Sequence, residues 1–211
     1  MPANIEPVTP DDLDRAVLTA LDALRELPSD AWSGDPASLD WTRWETVEHM
    51  CNALTLYAMN MGPRKPPMDR NVPFAREGRR PAAPTTIVHA DTAAGSDGLL
   101  QVFEACAALL VAKVRVTPPD VRAYHVYGAS DPGGFAAMGV VETLVHTRDL
   151  IEGLDVPYDP PADVCARTLA RLFPDAPADT PPWRTLLWAT GRADLPGRPR
   201  VTTWRWYGAP R

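Results

Sequence analysis

The chain has 211 residues, of which 45% are hydrophobic and 23% charged, and its formal net charge is −6. This length can bury one full core and leaves room for a small appendage. The acidic balance argues against nucleic acid as a partner. No apolar run reaches the roughly 18–20 residues that a membrane-spanning helix needs, and the first residues lack a basic region followed by an apolar one, so we expect a cytoplasmic protein with no membrane partner.

The three cysteines are Cys51, Cys106 and Cys165. They are odd in number, far apart and never in C-x-x-C spacing, which argues against a disulfide framework and against a zinc–thiolate site. We expect them to be small residues of the core.

Two helices are predicted in the first third of the chain. Thr9 is a hydroxyl N-cap and Pro10 takes the first helical position, and a later proline ends the helix that follows. Thr42 and Glu45 have the spacing of a capping box, which predicts a second helix over residues 42–61.

A long connection without a sustained period occupies residues 62–94. Its basic residues either are solvated or form a rim that contacts anions, and the solvated interpretation is favoured for each arginine taken singly. His89 lies in a short β-prone piece of this connection, where Asp91 is the expected hydrogen-bond partner. The basic residues are Arg64, Lys65, Arg70, Arg76, Arg79 and Arg80.

Two further helices follow this crossover. Ser96 is predicted to cap the third helix, which ends before Pro118. Asp131 and Pro132 indicate the start of the fourth, which is expected to continue to Gly153.

These four helices predict an all-α fold, a four-helix bundle over residues 1–155 with a long crossover between the second and third helices. Residues 156–211 contain two short helical patterns and then an alternating run over 201–206, which predicts one strand whose two tryptophans share a face. Roughly 50 residues rarely support a core of their own, so we expect a small α/β appendage packed on the bundle.

Glu142 and His146 are the only ionisable residues in the apolar stretch 134–147 of the fourth helix. A buried carboxylate needs a partner, and residues four apart on a helix lie on one face. The pair can therefore present an oxygen and a nitrogen to one metal ion. The alternative is a simple carboxylate–imidazole hydrogen bond inside the bundle.

A third ligand has to come from elsewhere, and His49 on the second helix is the candidate. It lies near one edge of the buried arc of that helix. The alternative to a metal ligand is a core histidine whose hydrogen bonds are satisfied within the protein. With the Glu142–His146 pair it makes a three-ligand set of nitrogen and oxygen atoms with an open coordination position, which suits a catalytic divalent ion, zinc in the first place and nickel as the alternative. Glu45 is a rival ligand, and His125 is a candidate fourth ligand or outer partner.

Two segments carry a resemblance to a known family. Trp41-Thr42 with Val47-Glu48-His49-Met50, and about ninety residues later Glu142-Thr-Leu-Val-His146-Thr-Arg-Asp149-Leu150, resemble the DinB-like superfamily and in particular the mycothiol-dependent maleylpyruvate isomerase family. The phrase Leu186-Leu-Trp-Ala-Thr-Gly191-Arg192 resembles a recurring C-terminal element of these proteins. The resemblance implies a four-helix bundle that binds a divalent metal, usually taken as zinc, through His49, Glu142 and His146.

The leading functional hypothesis is a metal-dependent enzyme that activates a low-molecular-weight thiol against a small electrophile, with mycothiol as co-substrate, in S-transfer or isomerisation. Arg148 and Arg192 are the candidate catalytic residues, as contacts for an anion. A metal-dependent hydrolase on the same site and a non-catalytic metal-binding or stress-response protein are the alternatives. The protein is expected to be a monomer or a homodimer.

Overall fold

The computed structural model describes residues 6–36 and 39–210 of the chain. The first five residues, on which part of the expectation about a secretion signal rested, lie outside this range. Six α-helices are present in the described part: α1 (Pro10–Arg25), α2 (Arg43–Asn60), α3 (Gly95–Val116), α4 (Pro132–Leu150), α5 (Ala162–Leu172) and α6 (Pro182–Ala189).

The helix starts follow from local hydrogen bonds. Thr42 and Glu45 form the predicted capping box at α2, with the Thr42 side chain accepting from the Glu45 backbone N–H and the Glu45 carboxylate accepting from the Thr42 backbone N–H. Asp131 caps α4 by accepting from the Gly134 N–H. The prediction that Ser96 caps α3 is wrong, because a 3₁₀ turn capped by Asp91 runs directly into the helix and α3 already begins one residue before Ser96.

The first four helices pack around one core, which confirms the all-α four-helix architecture. α2 lies against α3 and α4, and α1 lies against the same two helices. The tightest approach is at Gly139 of α4, where a Cβ atom would come within 3.0 Å of the side chains of Leu13 and Leu110 and within 3.2 Å of that of Leu54. All four helices therefore meet at a position that only glycine fits without displacing its neighbours.

The crossover, residues 62–94, covers two glutamates of α2, Glu45 and Glu48. Arg79 donates to Glu48, and the Ala90 backbone N–H donates to the same carboxylate at 2.8 Å. Arg80 donates to both oxygens of Glu45. The basic residues of the crossover were expected either to be solvated or to contact anions. Neither expectation applies to Arg79 and Arg80, because these two arginines neutralise buried glutamates of α2.

His89 has different partners from the expected one. Its Nε2 lies 3.3 Å from the Thr86 hydroxyl and its Nδ1 lies 3.6 Å from Glu48, whereas Asp91 accepts from the Ala93 backbone N–H. The predicted His89–Asp91 hydrogen bond is therefore wrong, because the Asp91 carboxylate caps the following 3₁₀ turn instead.

The segment after α4 folds back onto the bundle. α5 packs on α4 and α6, and Arg167 of α5 binds Asp12 of α1. The strand predicted over residues 201–206 is wrong, because these residues are irregular. The β-prone piece before His89 does not pair with them, since its Ile87 backbone N–H donates to the Asn52 side chain. The appendage is thus helical with an irregular tail, and its separation from the bundle at residue 155 stays a prediction.

Two of the remaining expectations concern burial and membrane insertion. Cys51 and Cys165 are buried and Cys106 is half-buried, and all three are free thiols. None of the helices in the described part of the chain combines the length and the apolar character needed to cross a bilayer.

Candidate metal centre

Three side chains from two helices converge at one end of the bundle. Glu142 Oε2 lies 3.3 Å from His146 Nε2 on the same helix and 3.5 Å from His49 Nε2 on α2. One ligand atom of each of the three residues lies within 4.8 Å of the other two. The two histidines meet edge to face, with ring centroids 5.2 Å apart. The bundle thus brings together the three residues singled out in the sequence.

These separations fit a metal ion better than direct hydrogen bonds. Nitrogen and oxygen ligands about 2.0–2.1 Å from a tetrahedral ion lie about 3.3–3.4 Å from one another. Hydrogen bonds between such atoms are shorter, about 2.7–3.2 Å. Two imidazole nitrogens and one carboxylate oxygen, all aimed at one point, are also a donor set that zinc and similar divalent ions accept. The residues present therefore fit a divalent ion.

Asp149 orients His146 for this role. Its carboxylate lies 3.1 Å from His146 Nδ1 and also accepts two hydrogen bonds from Arg192. Burial alone would raise the pKa of Asp149, but the hydrogen bonds to His146 and Arg192 lower it, so the carboxylate is ionised and accepts the Nδ1–H proton. When the ring is neutral, as metal binding requires, the lone pair of His146 therefore lies on Nε2, facing Glu142, which is the arrangement found around metal-bound histidines.

Tyr57 holds the other oxygen of Glu142. Its hydroxyl donates to Glu142 Oε1 at 3.1 Å, which leaves Oε2 directed at the two imidazoles. Burial, together with the charge of Glu142, raises the pKa of Tyr57 well above its ordinary value, so the hydroxyl keeps its proton. Sequence reasoning missed this residue, although it lies eight positions after His49, close to two helical turns and so on the same side of α2.

The protonation states support a charged cluster. Burial would raise the pKa of Glu142, but the neighbouring imidazoles of His146 and His49 lower it. Burial would lower the pKa of His146, but the neighbouring carboxylates of Asp149 and Glu142 raise it to about 9. Glu142 is therefore a carboxylate at neutral pH, and a cation, whether a proton or a metal ion, is favoured beside it.

Glu45, the rival ligand, is excluded by its contacts. It caps α2 and binds Arg80 on the crossover side of the helix, away from the cluster. Trp41 instead covers His49, with ring centroids 5.0 Å apart.

The cluster forms the floor of a cavity of about 300 Å³. Its walls come from α2, α4, the loop between α3 and α4, and the C-terminal tail. They consist mainly of aromatic and branched apolar side chains. The lining residues are His49, Tyr57, His125, Val126, Tyr127, Val141, Glu142, Val145, His146, Arg192, Trp204 and Trp206.

Of the two arginines predicted as catalytic, only Arg192 lines this cavity. Arg148 lies in an adjoining cleft of about 620 Å³, where its guanidinium is 3.9 Å from Glu152. Arg192 and Trp204 border both spaces. Arg200 is a third arginine of the cleft, after Arg148 and Arg192. The two spaces therefore differ in character: the cavity is mostly apolar and the cleft is polar.

The sequence of the bundle decides the family. Residues 13–151, more than half of the chain, match the profile of the mycothiol maleylpyruvate isomerase N-terminal domain. The chain belongs to this family. Comparison with curated proteins gave no match.

Two solved structures share the fold of this chain. A mycothiol-dependent maleylpyruvate isomerase variant with one histidine replaced by alanine superposes with a TM-score of 0.58 at 17% sequence identity, over 90% of this chain and 96% of the other. A second structure of the mycothiol-dependent maleylpyruvate isomerase gives a TM-score of 0.56 at 18% identity, with the same coverage. At such identities the likeness establishes the fold alone.

In this member of the mycothiol maleylpyruvate isomerase N-terminal domain family, His125 lies outside the three-residue cluster but in the cavity wall. Its Nδ1 accepts from the Tyr127 backbone N–H at 3.1 Å. Burial lowers the pKa of His125 from 6.5 to about 4, while the charge of Glu142 opposes the shift. At neutral pH His125 is therefore an uncharged imidazole whose single proton lies on Nε2.

We expect the NMR titration of His125 to show a midpoint near pH 4, with the signal assigned by its loss in His125→Gln. Because the folded protein resists a proton that the unfolded chain accepts below about pH 6.5, the free energy of unfolding should fall between pH 6.5 and 4, and less so in His125→Gln. A midpoint near 6.5 in the folded protein would show that burial does not hold this imidazole neutral.

Proposed function

We propose that this protein is a thiol-dependent metalloenzyme, in which His49, Glu142 and His146 hold a divalent ion, zinc in the first place, and mycothiol is the co-substrate. The observation that supports this is the convergence of three ligand atoms on one point at the floor of a cavity. Three protein ligands leave one coordination position, which is the arrangement of catalytic rather than structural zinc sites.

A divalent ion in this position supplies positive charge that lowers the pKa of a bound thiol, so that a thiolate nucleophile is present at neutral pH. The residues of the chain do the rest. Tyr57 fixes the orientation of Glu142, and Asp149 fixes that of His146. Trp41 and the aromatic walls limit the access of water.

Arg192 acts in this proposal through Asp149. Two of its nitrogens donate to that carboxylate and a third donates to the Thr190 carbonyl. Arg192 is therefore a positioning residue, which orients Asp149 and, through Asp149, His146. Arg148, with Arg200, is proposed to contact the polar part of the thiol in the adjoining cleft, whose boundary with the cavity is Arg192 and Trp204.

The surroundings of the cluster favour a thiol over water as the nucleophile. Hydrolysis needs a general base near the water, with a pKa suited to neutral pH. Asp149 is occupied by His146 and Arg192, and the pKa of His125 is lowered to about 4. A thiol bound as thiolate needs no such base, and we propose S-transfer or isomerisation of a small electrophile as the reaction.

Glu142→Gln tests the site. Replacing the carboxylate by a neutral amide should weaken zinc binding by more than the roughly 10–100-fold loss seen when an outer partner of a metal ligand is removed. The measurements are elemental analysis, chelator competition and calorimetry with mycothiol. Glu45→Gln is the matched control, because Glu45 is also a largely buried glutamate, on α2, but binds Arg80. This variant should retain zinc and mycothiol binding.

Unchanged metal content, melting temperature and mycothiol binding in E142Q would refute every version of the metal site. Zinc binding without mycothiol binding in the natural protein would leave a metal-binding protein without this activity. Ester hydrolysis that needs zinc but not mycothiol would support the hydrolase instead.

Tyr57→Phe tests the orientation of the ligand. The variant keeps the ring and removes only the hydroxyl that donates to Glu142, so zinc affinity should fall about 10–100-fold. Tyr158→Phe is the matched control, since it also removes a mostly buried tyrosine hydroxyl, one that donates to the Leu144 carbonyl. It should lower the melting temperature without changing zinc affinity, and equal affinities for zinc in the two variants would contradict the role of Tyr57.

A further inference from the structure

The helices α2 and α3 pack against each other and run in the same direction. Near the start of α2, Glu48 accepts from the backbone N–H of Ala90, which lies five residues before α3 begins. At the end of α2, Asn60 donates to the carbonyl of Tyr124, which lies eight residues after α3 ends. Because the crossover returns the chain to the start of α2, the two helices are parallel, and residues at equal heights can face each other.

Cys51 of α2 and Cys106 of α3 lie at the same height in this pair. The side chains of Leu54 and Leu110 both reach the point beside Gly139 where the four helices meet. Cys51 precedes Leu54 by three positions, and Cys106 precedes Leu110 by four. Each cysteine therefore lies one turn further toward the start of its helix, on the same face as its leucine. In a parallel pair these offsets direct the two thiols toward each other, and the Cys51 thiol donates a hydrogen bond to Cys106.

The two thiols differ in their access to solvent. Cys51 has no exposed surface, whereas Cys106 is half-buried and lies at the edge of the packed face of α3. Among the described residues that line the cavity over the metal centre there is no cysteine, so the proposed function leaves both thiols unused. A small oxidant can reach Cys106 from solvent, and it cannot reach Cys51 directly.

The surroundings of Cys106 favour the thiolate. The hydrogen bond from the Cys51 thiol lowers the pKa of Cys106 from 9.0 to about 7, although burial acts in the opposite direction, and the nearby Thr55 hydroxyl adds to the lowering. Cys165, buried on α5, provides the contrast, because burial raises the pKa of its thiol to about 12. Since the thiolate is the nucleophilic form of a cysteine, Cys106 is reactive at neutral pH and Cys165 is inert.

We propose that Cys106 is a site of oxidation by hydrogen peroxide, and that Cys51 converts the oxidised sulfur into a disulfide between α2 and α3. The Cys106 thiolate attacks one oxygen of the peroxide, the O–O bond breaks, and a sulfenic acid and hydroxide are formed. The Cys51 sulfur then attacks the sulfenic sulfur, and its proton leaves with the departing hydroxyl group as water. The two cysteines lose two electrons in total, and the peroxide takes them up.

The disulfide adds a covalent link to a helix pair that is otherwise held by packing and hydrogen bonds. It closes a loop of about 55 residues, which contains the whole crossover. A low-molecular-weight thiol can attack the disulfide and release both cysteines through a mixed disulfide, so the modification is reversible.

Peptide mapping of the full-length protein tests the proposal without any substitution. The reduced protein, freed of reductant, is treated with hydrogen peroxide at neutral pH. Its remaining thiols are then blocked in denaturant, and its peptides are separated without reduction. We expect the number of free thiols to fall from three to one, the Cys51 and Cys106 peptides to be joined, and dithiothreitol to restore all three thiols. Three unchanged thiols, a disulfide that includes Cys165, or a disulfide between two molecules would overturn the proposal.

Three serine variants separate the roles of the cysteines. Cys51→Ser keeps a hydrogen-bond donor beside Cys106 but cannot form the disulfide, so oxidation should stop at a sulfenic acid that dimedone traps on Cys106. Cys106→Ser should keep both of its thiols under the same treatment, which is a complete loss of the reaction. Cys165→Ser is the matched control, since it also removes a buried thiol, and it should form the disulfide as fast as the natural protein. Loss of thiols in Cys106→Ser at the rate of the natural protein would show that Cys106 is not the site of attack.

Discussion

A negative charge buried among apolar side chains is the constraint on which this structure depends. Only 12% of the Glu142 side chain is exposed, and an unpartnered carboxylate in such surroundings would cost several kcal/mol. The Tyr57 hydroxyl donates to one oxygen of Glu142, and the imidazoles of His49 and His146 face the other. The 3.3 and 3.5 Å separations to His146 and His49 leave the space of one ion between the three groups.

That constraint connects parts of the chain that are distant in sequence. α2 contributes His49 and Tyr57, α4 contributes Glu142 and His146, and the tail contributes Arg192 through Asp149. The C-terminal segment is therefore more than a cover for the bundle, since it completes both the support of a ligand and the aromatic wall above it. The buried glutamates of α2 are neutralised separately, by Arg79 and Arg80 of the crossover.

Local signals in the sequence predicted most of the fold. Capping residues and the spacing of apolar side chains placed α1, α2 and α4 within a few residues. The four-residue spacing of Glu142 and His146 identified two of the three residues of the cluster. The partners of Glu142 and Asp149 depend on tertiary contacts between distant segments, so Tyr57 and the role of Arg192 had no comparable local signal. The strand over residues 201–206 failed for the same reason, because alternation does not show whether a partner strand is free.

The most direct test of the central claim is anomalous diffraction at the zinc absorption edge from crystals of the protein grown with zinc. We expect one dominant peak enclosed by His49 Nε2, Glu142 Oε2 and His146 Nε2, and the loss of this peak in crystals of E142Q. A protein that binds zinc elsewhere, or shows no peak among these three atoms at saturating zinc, would contradict it.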